Sequence, residues 1–226
     1  MKHSLGDAQT IRIFLALGVL GTLMMFAGDI LLYGDLSHAE MTPESIVETM
    51  RNMDKYRVMT GGAVGPLASI LYCFGFFGLA GLVRPEYPGI RAAIFLAFCA
   101  GAFYGGASYH SLFPPMAFAV AADGQGVIPA VDEYIDLIGL IAFSLWGLAS
   151  VLFHYAVLRG RTHCRKWIAL LAPLPMGLLV VVMMHLPPPL LIIIGGGWYS
   201  LMMTIFFTAG LVEAGRPRPV YAEQAA

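Results

Sequence analysis

The sequence predicts an all-α integral membrane protein, a bundle of six helices crossing a bilayer. Three observations carry that prediction. Hydrophobic residues make up 58% of the 226-residue chain and charged residues 12%, with a mean hydropathy of +0.75, too apolar for a soluble domain of this size. A spanning helix needs roughly 20 mostly apolar residues, and six stretches meet or approach that length: about 11–33, 58–83, 90–111, 133–158, 167–185 and 189–212. Lys and Arg, finally, sort almost wholly into alternate links between those stretches. With such short links, residues 1–226 form one six-span domain.

The first span opens with Lys2 and Arg12 and runs apolar from Ile13 to Ala27 and on through Ile30, Leu31 and Leu32. No small-x-small cleavage site precedes Asp29, so this segment reads as a retained anchor and not as a removed signal peptide. Gly18, Gly21, Thr22, Met25 and Asp29 share one helical face. Small residues permit close helix approach in lipid, so that face is predicted to point into the bundle, with Asp29 on it.

In the following loop Thr42 is a cap, Pro43 takes the first helical position and Glu44 makes an acidic first turn. Ile46, Met50 and Met53 then recur at helical spacing, which predicts a short amphipathic helix over about 43–54 on the outer membrane face. Pro66 predicts a kink in the second span, and Pro173 and Pro175 in the fifth. The third span meets Phe113-Pro114-Pro115, a pair expected to stop the helix, and Asp123 to Gly126 form a turn. Along the fourth span Asp132, Asp136, Gly139, Phe143, Gly147, Ser150 and His154 form a stripe from the outer to the inner end. In the sixth, Gly195-Gly196-Gly197-Trp198-Tyr199 precedes Ser200, Thr204 and Thr208. Three consecutive glycines allow close packing or local unwinding beside a pocket.

Orientation follows the positive charges. Lys2 and Arg12, Arg84 and Arg91, Arg159 to Lys166, and Arg216 with Arg218 fall on one side, predicted cytoplasmic together with both termini. Arg51, Lys55 and Arg57 in the first outer loop depart from the pattern, among Asp35, Glu40, Glu44, Glu48 and Asp54. The net charge of −1 says nothing about an acidic or basic partner, because the charges are sorted by side of the membrane, and no nucleic-acid partner is expected. Cys73, Cys99 and Cys164 form no CxxC pair and read as reduced packing residues.

Ionisable groups inside apolar segments cost about 2.5 to 3.5 kcal/mol each on insertion scales, so they tend to face a cavity or a partner. Asp29 and Tyr33, Tyr104, Ser108 and His110, Asp136, and His185 all reach the same predicted outer leaflet from four helices. Asp29, His110 and Asp136 are the candidate catalytic residues; Tyr33, Tyr104, Ser108, His185, Trp198 and Tyr199 are the candidate ligand contacts. Asp132 and Glu133 fit a solvated, dipole-matching first turn, and His110 and His185 also suit a membrane interface. Two His and two Asp suit a zinc ion with an activated water. Neither HExxH nor HxxxH spacing is present, however, so metal and cofactors stay unassigned. A buried carboxyl can instead protonate an alkene or epoxide beside aromatic faces, the chemistry of a membrane cyclase or isomerase acting on an isoprenoid.

The run Gly28-Asp29-Ile30-Leu31-Leu32-Tyr33-Gly34 at the end of the first of six spans resembles a bacterial membrane family known only as a domain of unknown function. The resemblance implies importance for Asp29 and Tyr33 and brings no established activity. The expectation is therefore a bacterial inner-membrane protein with an outer-leaflet polar pocket that binds a small apolar or lipid-like ligand, such as an isoprenoid, and leaves open its modification. Enzyme classes in view are a lipid or isoprenoid cyclase, an isomerase or a metal-dependent hydrolase. Alternatives are a small proton- or cation-coupled transporter and a structural subunit. Membrane lipid and a second copy of the chain are the expected partners.

Overall fold

A computed structural model describes residues 5–34, 49–122, 128–183, 185–187 and 190–216. Four helices are long and apolar enough to cross a membrane: α1 (Leu5–Tyr33, apolar over Ala8–Leu32), α2 (Lys55–Gly81), α3 (Pro88–Ala121) and α4 (Ile128–Leu158). Two shorter apolar helices follow, α5 (Pro173–Met183) and α6 (Trp198–Ala214). Of the predicted amphipathic helix over 43–54, residues 43–48 lie outside the described residues, as does the turn at 123–126. Residues 49–52 are helical, and Met50 is buried against Leu32, Val58, Phe113 and Met116.

Close approach of α1 and α2 depends on the glycines. A Cβ at Gly18 would lie 2.7 Å from Gly75 Cα, so the two backbones touch where the predicted face of α1 meets α2. Thr22 on that face is fully buried. Arg57, at the start of α2, donates from Nε to the Leu31 carbonyl (3.0 Å) and from Nη2 to those of Ile30 and Gly34 (3.2 Å each). A cation thus caps the carbonyl end of α1, which accounts for one of the basic residues that depart from the alternate sorting.

The third helix corrects an expectation. Pro114 and Pro115 do not stop it: the α-helical path continues to Ala121. Gly62 of α2 explains how, because it leaves the space the Pro114 ring occupies; a Cβ there would meet Cγ and Cδ of that ring. Further back, Phe103–Ser108 form a π-helical turn within α3. Pro173 and Pro175 do more than kink their segment. Lys166–Leu171 form a 3-10 turn, Ala172 is extended (φ −68°, ψ 157°), and Pro173 starts a new helix. A residue before proline is driven out of the helical region, and proline is well tolerated in a first turn.

In α4 the buried face is Ile135, Ile138, Gly139, Ala142, Trp146, Ala149, Ser150 and Phe153. The predicted stripe shares only Gly139 and Ser150 with it; Asp132, Asp136 and Phe143 are exposed. Large apolar residues won the interior. At 31 residues α4 is about 46 Å long, well beyond a hydrocarbon core of roughly 30 Å, so acidic residues in its first turns need no buried partner.

Toward the C-terminal end of α6 the core is closed by phenylalanines. Phe76 stacks on Phe98 (centroids 4.6 Å) and packs on Phe207 (5.1 Å), while Phe153 meets Phe206 edge-on (5.2 Å). All five are fully buried. Beyond them the α2–α3 and α4–α5 links are joined: the Arg84 amide donates to the Arg161 carbonyl and the His163 amide to that of Leu82, both at 2.9 Å. Glu213, just past the predicted sixth span, accepts from the Arg165 amide and Nε (2.9 Å each) and from Arg216 Nη1 (3.3 Å). Its burial works to raise the carboxyl pKa, but these donors outweigh that and hold it below the ordinary value.

Candidate functional site

At the opposite end of the bundle from Glu213, four helices bring polar groups to one point. The π turn in α3 adds a residue to the turn just before His110 and so re-aims it. Gly65 of α2 lets that helix lie directly against it: a Cβ at Gly65 would collide with the His110 side chain and come 2.6 Å from the Gly106 carbonyl oxygen. His110 is 3% exposed, and its Nε2 lies 3.1 Å from Asp29 Oδ1 of α1. Ser200 of α6 donates to Asp29 Oδ2 at 2.7 Å, and the buried Tyr72 of α2 lines the same point. Further along the same α1–α6 seam the Thr204 hydroxyl lies 2.8 Å from both Thr22 Oγ1 and the Ser200 carbonyl.

Asp29, His110 and Ser200 form part of the wall of a cavity of about 220 Å³. Tyr72, Tyr109, Phe143, Trp146 and Tyr199 supply aromatic walls, and Gly105, Gly106, Gly195 and Gly196 supply backbone where side chains are missing. Phe143 is 46% exposed, which puts that wall at the outer surface of the bundle. The benzo edge of Trp146 faces Gly105, whereas its Nε1 faces Gly101 and has no partner. His110 Nδ1 is likewise buried without a partner.

A family profile matches residues 1–215, nearly the full chain. The chain belongs to DUF6796, a family of unknown function. Neither the curated proteins nor the solved structures give a match. The DUF6796 chain therefore has to be read from its own geometry.

Of the residues singled out in the sequence, Asp29, His110 and Tyr199 meet in this cavity. Asp136 does not line it and is exposed, one step around the helix from Gly139, which does. His185 is exposed in a turn. Tyr104 and Ser108 sit in the π turn, half-buried and outside the lining, with Tyr104 against Phe103 (5.6 Å). Trp198 is 7% exposed and belongs to the main core. Tyr33 ends α1, and its side chain lies outside the described residues. Sequence reasoning missed Ser200, Tyr72, Tyr109 and Trp146 as site residues. Ser200 alone carried a usable signal, its spacing with Thr204 directly after the glycine run.

The order of the three groups limits the chemistry. In a Ser-His-Asp triad the imidazole stands between hydroxyl and carboxylate and takes the serine proton. Here the carboxylate is in the middle, with serine on one oxygen and histidine on the other, which suits exchange of a proton at Asp29 or His110. Among the described residues no group of three or more His, Cys, Asp or Glu is placed to hold a metal ion.

Proposed function

We propose that this chain is an integral membrane protein that admits a small lipid-soluble molecule into the Asp29–His110 cavity and presents that pair to the molecule's polar end. One observation carries the reading: a buried, hydrogen-bonded Asp–His pair on the wall of a cavity of about 220 Å³ that is otherwise mostly aromatic and glycine. Ligand sites have this make-up, apolar walls with a few placed polar groups. The exposed Phe143 supports entry from the side, where lipid would lie. The Asp29–His110 pair supplies proton exchange, which fits an isomerase- or cyclase-type reaction on such a molecule. In this reading the chain crosses a bacterial inner membrane six times with both termini cytoplasmic, the α5 and α6 segments completing the count. The arginines beside Glu213 then face the cytoplasm, and the cavity lies in the outer leaflet.

Passage through the bundle finds less support. A transported ion or solute would have to cross the layer of Phe76, Phe98, Phe153, Phe206 and Phe207, all fully buried and in mutual contact. The stripe along α4, the one hint of a path in the sequence, turns Asp132, Asp136 and Phe143 outward.

Native mass spectrometry of the full chain released from mild detergent tests the binding role. The expected result is a stoichiometric small adduct that disappears in Ala142→Leu, which fills the cavity from a buried wall position. A bare protein, or an adduct unchanged by Ala142→Leu, would overturn it.

A further inference from the structure

Binding at this site, taken as proposed above, also limits what the ligand can be. Asp29 and His110 are 7% and 3% exposed, and among the described residues no other of formal charge lines the cavity: α2 brings Tyr72, α3 Tyr109, α4 Phe143 and Trp146, and α6 Tyr199 and Ser200. A lone carboxylate in such surroundings is strongly disfavoured. Asp29 already has its partners here: His110 Nε2 stands 3.1 Å from Oδ1, and the Ser200 hydroxyl donates to Oδ2. The cavity then has no unpartnered carboxylate oxygen with which to hold an ammonium group.

Hydrogen-bond capacity narrows the choice again. Asp29 Oδ1 faces His110 Nε2 and Oδ2 accepts from Ser200. A carboxylate oxygen accepts at two lone pairs and donates nothing. A polar end placed on Asp29 must therefore donate, which favours a hydroxyl there over a ketone, ester or ether. Size gives the third limit. An apolar cavity of about 150 Å³ takes up benzene, so one of about 220 Å³ suits roughly ten heavy atoms. A longer chain would trail past Phe143.

We infer that the ligand is an uncharged apolar alcohol or phenol, its hydroxyl donating to Asp29 and its hydrocarbon lying among the aromatic walls.

The test uses the purified full chain in mild detergent and a photoreactive prenyl alcohol of about ten carbons, with cross-linked peptides located by mass spectrometry. Three unlabelled competitors share its hydrocarbon: the alcohol, its methyl ether and its primary amine. Expected are saturable labelling in α1, α3, α4 and α6, and competition by the alcohol about tenfold stronger than by ether or amine. In Asp29→Asn the preference for alcohol over ether should collapse. Phe143→Trp, which crowds the cavity without touching the hydrogen-bonded pair, should reduce labelling severalfold even if Asp29→Asn does not fold. An amine that competes best would overturn the neutral-ligand inference while leaving the binding role standing. An ether equal to the alcohol would overturn the donor requirement. Absence of saturable labelling in the wild-type chain would remove the binding role itself, and the inference with it.

Discussion

The two halves of this bundle use the same helices for opposite ends. In the Glu213 half, space is filled: five buried phenylalanines interlock across α2, α3, α4 and α6, and two links are hydrogen-bonded to each other beyond them. In the Asp29 half, space is kept open: a π turn interrupts α3, Leu191–Gly195 form another before α6, and glycines line the gap between them. Regular α-helix with large side chains packs a core, whereas π turns and glycines recur where a ligand or another backbone needs room. Filled and open space are thus separated along the bundle axis, and the separation can be attacked from either end.

The largest effect should come from one residue type tested in both halves. Phe206 is fully buried and Phe143 is 46% exposed at the cavity wall. Phe206→Ala should cost about 3–5 kcal/mol of unfolding free energy in detergent, the range for a buried aromatic. Phe143→Ala should stay within about 0.5 kcal/mol while changing ligand binding. Equal costs would break the comparison.

Gly65→Ala attacks the seam that positions His110. Its Cβ has nowhere to go but into the His110 side chain and the Gly106 backbone, neither of which can swing aside. An overpacking cost of about 1–3 kcal/mol follows, and ligand occupancy should fall with it because His110 is carried away from Asp29. Unfolding by denaturant together with native mass spectrometry would check both. A stable variant with full occupancy would mean that the α2–α3 contact does not set the site.

Acid should weaken the Glu213 half through this buried, ion-paired carboxylate. Because Arg165 and Arg216 hold the Glu213 pKa below its ordinary value, the folded state binds that proton less readily than the unfolded chain. The stabilisation is therefore fully present above the ordinary carboxyl range, near pH ~4.3, and is lost as pH falls through the depressed folded value. Glu213→Gln should be less stable than the wild type at neutral pH and should flatten the acid side of the stability profile. An unchanged acid slope in that variant would show that other groups carry it.

How much of this was legible in the chain follows from what each residue competes with. Asp29 stood out because apolar residues flank it and glycines share its face, and nothing but a buried partner makes such a position tolerable. His110 was visible by type, but its aim depends on the π turn over Phe103–Ser108, which no periodicity announces. Tyr72 and Trp146 looked like any core aromatic; that they border a cavity depends on Gly105 and Gly106 arriving from another helix. The Pro114-Pro115 expectation fails for a different reason. Pro114 was read from its own helix, while its fate was decided by Gly62 on a neighbour.

Asp136 supplies the smallest effect and the sharpest contrast with Asp29. Both are aspartates in long apolar helices, and the sequence put them in one cluster. Asp29 is buried with both oxygens engaged, whereas Asp136 is exposed, in a helix about 46 Å long that outruns a bilayer. Asp136→Asn should then change stability by no more than about 0.5 kcal/mol and leave ligand occupancy intact. Asp29→Asn removes the proton exchange and mismatches one of the two hydrogen bonds at a cost of about 1–3 kcal/mol. If the two substitutions behave alike in paired unfolding and occupancy measurements, burial is not what sets Asp29 apart, and the division between the halves loses its main support.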